Sequence, residues 1–133
     1  MTSNHATRTT SDGTGDTPTI AIETERVESA EIVRVRGRLN WATVAQLRKV
    51  VVEISATGPV VIDLTGLESS DSAGTATLLS IMLRAHEQGQ KLALVVTDDV
   101  LWTILMSLEA HLLVPIVTSE AQALASLGVT RAA

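Results

Sequence analysis

Cysteine, phenylalanine and tyrosine are absent from this chain of 133 residues, and its aromatics are two tryptophans. Without cysteine there are no disulfides, thiolate metal sites or thiol chemistry. Without an aromatic series there is no stacking platform for single-stranded nucleic acid. Positive charge is also scarce: ten Lys and Arg stand against fifteen Asp and Glu, for a net charge of −5 and no basic cluster. Binding along a phosphate backbone is therefore not expected. No apolar run approaches the roughly 18–20 residues of a membrane span. The first residues lack the apolar stretch of a signal peptide. These absences lead to the expectation of a soluble cytoplasmic protein, with no membrane insertion and no nucleic-acid partner. Apolar residues make up 45% of the chain. Val, Leu, Ile, Ala and Met must supply the core of one domain.

Residues 1–18 are rich in Thr, Ser, Gly and Asp and offer little to bury. They are expected to form a disordered tail, with His5 alone in it. A domain over 19–128 and a short tail over 129–133 follow. TIAIETE (19–25) and EIVRVRG (31–37) alternate as the two strands of a hairpin, with Ile32, Val33 and Val35 pointing to burial and Arg34 and Arg36 sharing the other face. Asn40 reads as the N-cap of a helix over about 41–56, with Val44, Leu47, Val51 and Ile54 inward. VVIDL (60–64) has the continuous apolar character of a central strand covered on both faces. A polar loop leads to a helix over about 73–88, ended by Gly89. KLALVV (91–96) is a strand. Asp98 or Asp99 caps a helix with Leu101, Ile104, Leu105 and Leu108 inward. VPIV (114–117) is the last strand, and Ser119-Glu120 opens a final helix ending at Gly128. The predicted order is β-β-α-β-α-β-α-β-α. It implies an α/β domain with a mixed, mostly parallel sheet of about five strands and four helices, packed chiefly on one face.

Asp71-Ser72-Ala73-Gly74 follows the central strand and its loop. The spacing puts the Ser72 hydroxyl at or beside the first turn of a helix, where unpaired amides and the positive dipole end favour an anion. A serine there either caps the helix or accepts a phosphate. Asp71 is either a second cap candidate or the group that orients Ser72. Ser69 and Ser70 read as loop hydroxyls, with secondary phosphorylation as the lesser alternative. Asp63, at the end of its strand, reads as bonding nearby backbone or capping a helix.

The stretch Asp63-Leu64-Thr65-Gly66-Leu67 leading into Asp71-Ser72-Ala73-Gly74 resembles the STAS domain family. So do the turn Gly37-Arg38-Leu39-Asn40 and the order of elements. Within that family the chain is most similar to bacterial anti-sigma factor antagonists (anti-anti-sigma factors). The resemblance covers about residues 19–128. It implies a STAS-like fold and a partner switch in transcription regulation. The unmodified protein would bind an anti-sigma serine kinase and so release a sigma factor. The kinase would phosphorylate Ser72, which ends binding, and a serine phosphatase would reset the system. The partner surface it implies comprises Asn40, Asp71, Ser72, Ala73, Gly74, Thr75 and Leu78. The chain departs from the family pattern at Asn40 (commonly acidic), Ser70 (commonly apolar), Ala73 (commonly Ser) and Thr75 (commonly Leu). The D-S-A-G form also occurs in small STAS subunits of lipid-transport complexes. The alternative reading is therefore a constitutive subunit of such an assembly, with Ser72 only a cap.

Nothing in the sequence assembles a catalytic site. Ser72 has no adjacent His or Lys to activate it, and no Gly-rich phosphate loop of the G-x-x-x-x-G-K type occurs. His86 and His111 lack metal-ligand spacing with a carboxylate, so neither a metal nor a cofactor is expected. Arg34 and Arg36 are expected to pair with glutamates across the hairpin. Trp102 and Met106 either widen the core contact of the third helix or form an apolar patch for a partner. Exposed edge strands leave a homodimer open.

Overall fold

A computed structural model of the chain describes residues 8–10 and 20–130. His5 and most of the segments read as tails lie outside the described residues. A six-stranded sheet carries the domain, its strands in sequential order. The short edge strand β1 (Arg8–Thr10) lies in the segment read as a tail and pairs antiparallel with β2 (Ile20–Val27). From β2 onward the elements follow the predicted order. Strand β3 (Ala30–Leu39) forms the hairpin with β2 across a turn in which Glu28 is left-handed. Then come α1 (Val44–Ser55), β4 (Val60–Ser70), α2 (Ser72–Gln88), β5 (Leu92–Val95), α3 (Asp99–Ser107), β6 (Ile116–Val117) and α4 (Glu120–Ser126). Strands β3 to β6 pair in parallel, as crossover helices require.

Both faces of the sheet are covered, and the helices pack chiefly on one, as expected: among the described residues three of the four share a layer. Helices α1, α2 and α3 pack over Val33, Val35, Ile62 and Leu94. Among the described helices only α4 packs on the opposite face, against Ile32, Val61, Ala93 and Val95. Alternation along each strand feeds both layers, which is why residues 60–62 of β4 and the whole of β5 are apolar without a break. Val129, assigned by sequence to the C-terminal tail, is buried in the α4 layer.

Three local expectations are corrected. Asn40 does not cap α1. The helix begins at Val44 after a turn over 41–43, and the Asn40 Oδ1 accepts from the Ala42 amide at 2.9 Å. Strand β4 does not stop at Leu64. It runs on to Ser70, beside the end of β3, through two register shifts. Beyond Asp63 it pairs only with β3, so its polar residues stay solvated. In α3 the inward residues are Leu101 and Leu105, while Ile104 and Leu108 are 39% and 54% exposed. Trp102 and Met106 are partly buried against the core, the first of their two readings.

The expected arginine pairs form. Arg36 bridges Glu23 at 2.6 Å and Arg34 bridges Glu25 at 2.7 Å. Arg34 also grips Glu120 of α4 with two hydrogen bonds, 2.7 and 2.9 Å, tying that helix to the sheet. The hydrogen bond to Glu120 is the main cause that holds its guanidinium still further above the usual arginine range. Asp63 is buried beside this cluster, and its Oδ1 accepts from the Thr65 amide at 2.9 Å. Burial pushes its carboxyl above the ordinary range, and a hydrogen bond with Glu120 pushes the same way. Among the described residues no helix is long and apolar enough to cross a membrane.

Candidate functional site

The site is built where the ends of β3 and β4 meet the start of α2. The extension of β4 sets Ser70 beside Leu39, and the Asp71 amide donates to the Leu39 carbonyl at 3.1 Å. This bond fixes the chain at the point where strand becomes helix. Asp71 has an extended backbone, and its carboxylate accepts from the Gly74 amide at 2.7 Å. The Asp71 carbonyl takes the Thr75 amide at 2.9 Å. Asp71 is therefore the N-cap, with a charged group at the positive end of the helix.

Ser72 is the first residue of α2 and is exposed. It is not the cap. Among the described residues its hydroxyl makes no hydrogen bond, so the oxygen is available to solvent or to a partner. Ala73 is half-buried beside it. Thr75 is also half-buried, its hydroxyl 3.2 Å from that of Ser70. Ser69 is exposed on the last turn of strand before the cap.

Gly74 is buried because the helix lies directly on the end of β3. A Cβ there would stand 2.8 Å from the Ser70 hydroxyl and closer still to the Leu39 carbonyl. Only a hydrogen side chain admits that approach. Leu78, one turn further on, is fully buried in the core. It has no surface to offer a partner, which corrects its place in the expected binding surface. Its side chain anchors α2 to the core.

Asn40 sits across from Asp71 on a turn that is heavily bonded. Thr43 is buried; its hydroxyl donates to the Arg38 carbonyl at 2.7 Å and accepts from the Asn40 amide at 2.9 Å. Asn40, Ser70 and Asp71 line one shallow cleft with Arg38 and Glu68, which stand 3.8 Å apart as an ion pair. The next residue, Trp41, is 79% exposed. Sequence reasoning passed over it. Its signal was its rarity, one of two aromatics in the chain, set directly against the Asn40 turn.

The other residues singled out by sequence lie elsewhere. His86 is exposed and its Nδ1 is 3.1 Å from the Leu113 carbonyl, and His111 is exposed near the short helix after α3.

The family model described as Mlab, STAS domain matches residues 22–115. No curated protein matches the chain. Among solved structures, an anti-sigma factor antagonist from Mycobacterium paratuberculosis is 19% identical, with a TM-score of 0.72 over 82% of this chain and 94% of that one. The Bacillus cell fate determinant SpoIIAA in its phosphorylated form is 17% identical, with a TM-score of 0.62 over 78% of this chain and 96% of that one. The murine anion transporter Slc26a9 is 15% identical, with a TM-score of 0.63 over 93% of this chain but 22% of the transporter. At these identities the structural likeness speaks for the fold, and the family match covers both halves of the motif around Ser72: the chain belongs to the STAS domain family.

Proposed function

We propose that this protein is an anti-sigma factor antagonist that acts by binding and not by catalysis. In its unmodified form it docks on an anti-sigma serine kinase in the cytoplasm and so releases a sigma factor. Phosphorylation of Ser72 ends the contact, and a serine phosphatase restores it. The docking surface is Asn40, Trp41, Asp71, Ser72, Ala73 and Thr75.

One observation carries this reading: Asp71 caps α2, which leaves the adjacent Ser72 exposed, its hydroxyl unbonded among the described residues. A serine whose hydroxyl holds a capping bond has to give up that bond to be modified. Here the two jobs fall to neighbouring residues. A phosphate adds about −1.5 to −2 charges. The N-terminal dipole of α2 tolerates that charge, so the fold survives. At a packed interface the same dianion meets desolvation and the nearby Asp71 and Glu68, and a loss on the order of a hundredfold in affinity is in range. Fold and binding thus respond separately to one modification. The resemblance to anti-sigma factor antagonists supports the same reading; SpoIIAA is one of them, and its structure is known in a phosphorylated form.

A second reading is favoured by the likeness to the anion transporter. There the surface docks constitutively within a larger assembly and Ser72 carries no switch. Two results separate the readings. Mass spectrometry of protein purified from its own host finds phosphate on Ser72 under the first reading and none under the second. Ser72→Glu abolishes partner capture under the first and leaves it unchanged under the second.

A further inference from the structure

Away from the Ser72 end of the molecule, α1 and α2 border a cleft of about 540 Å³. Its lining is apolar along the bottom, with Val51, Ile81, Ala85 and Leu92. Val52, 55% exposed, forms part of one wall. Arg48 on α1 and Arg84 on α2 line it from opposite helices. The remaining lining residues are Ser55, Ala56, Gln88 and Gln90, and none is acidic. This stands out in a chain whose net charge is −5.

The arrangement is directional. Arg48 reaches across to the Ser80 hydroxyl at 3.4 Å, so it lies level with Ser80, and Arg84 follows one helical turn later. Both helices end at the other limit of the cleft, near Ala56 and Gln88. Helix C-termini carry unpaired carbonyls and the negative end of the dipole, which repel an anion. An anionic head is therefore drawn to the two guanidiniums and kept from the far end. From Arg48 to Ala56 the cleft runs about 12 Å along α1. That is too short for the several turns of a docked amphipathic helix and suits one medium-length alkyl chain. Its size falls within the range of small-molecule sites.

We propose that this cleft is a second binding site, for a small anionic amphiphile: a single alkyl chain over Val51, Ile81 and Leu92 with a carboxylate or phosphate head held by Arg48 and Arg84. The site is separate from the Ser72 surface and does not rest on the function proposed for it. Occupancy would wedge α1 against α2, the helix whose first turn presents Ser72.

The test is titration of the full-length, isotope-labelled protein with decanoate, decyl phosphate, decanol and decyltrimethylammonium, each below its micelle threshold, followed by NMR. The expected result is saturable one-to-one binding of the two anions, with shifts at Val51, Val52, Ile81, Ala85 and Leu92. Whichever anion binds more tightly names the head group. The Arg48→Gln/Arg84→Gln variant should bind both roughly tenfold or more weakly, about the worth of one lost charge-assisted hydrogen bond. Both arginines are solvent-exposed, so the variant should keep its fold. Absence of saturable shifts would overturn the proposal. So would equal binding of the cationic chain, shifts confined to another surface, or undiminished binding by the double variant.

Discussion

The amide of Asp71 donates to the Leu39 carbonyl, joining the start of α2 to the end of β3 at 3.1 Å. Through this bond the Asn40 turn and Asp71, 31 residues apart in sequence, come to line one cleft. The same contact leaves no room at Gly74, which lies against that carbonyl. The candidate site is thus a consequence of where two strands end.

Gly74→Ala should test that geometry. Alanine favours a helix over glycine by about 1 kcal/mol. Here the added methyl must displace α2 from Leu39 and Ser70, at a cost of about 1–3 kcal/mol. The expected outcome is a net loss of stability in urea unfolding, together with weaker partner binding. A more stable variant would mean that α2 is not seated as described.

Asp71→Ala removes the cap and should cost about 1 kcal/mol. Asp71→Asn keeps the Gly74 hydrogen bond and should lose only a fraction of that. Chemical denaturation of the two variants side by side makes the comparison. Equal losses would show that charge at the helix end, not capping, is what Asp71 contributes.

Trp41→Ala should leave the thermal midpoint nearly unchanged, because the side chain is solvent-exposed. If it anchors the partner, affinity falls by roughly thirtyfold or more, as for an interface hot spot. Calorimetry with the captured partner reads the change directly. An unchanged affinity would remove Trp41 from the docking surface.

Asp63 gives a pH prediction. Its folded-state pKa is raised, chiefly by burial and then by Glu120, above an ordinary value of 3.8. Below 3.8 both folded and unfolded chains hold the proton. As pH rises past 3.8 the unfolded chain releases it first, so the native state binds more protons and loses stability with pH. The loss levels off once the native carboxyl ionises. Asp63→Asn lacks this penalty and can still accept from Thr65. Its stability relative to wild type should therefore increase from acid to neutral pH, as followed by urea unfolding across that range. A constant difference would mean that Asp63 ionises normally in the fold.

Much of this was legible in the sequence because local chemistry and tertiary structure agree. Gly89 ends α2 in the left-handed conformation, and Asp98 and Ser119 cap the helices they precede. Arg34 and Arg36 find their glutamates because strand alternation puts them on one face. Misreadings arose where local signals were degenerate. Helix α3 is apolar nearly all round, so its sequence fits two phases. Packing buries Leu101 and Leu105 with Trp102 and Met106 at the margin, and leaves Ile104 outside. The polar run from Thr65 to Ser70 looks like a loop, and only pairing with distant β3 makes it strand. Asn40 has the chemistry of a helix cap, but the turn held by Thr43 delays the helix. Asp71 and Ser72 were both legible as cap candidates. Only the bond to Gly74 assigns the cap to Asp71 and leaves Ser72 available.

The central claim is that Ser72 is a charge gate on a binding surface. Its most direct test is a pull-down from host lysate with wild-type and Ser72→Glu protein, read by mass spectrometry. The account predicts that the wild type captures a kinase-type anti-sigma factor and that Ser72→Glu, equally well folded, captures none. Equal capture by both forms, whether of that kinase or of a transporter assembly, would contradict it.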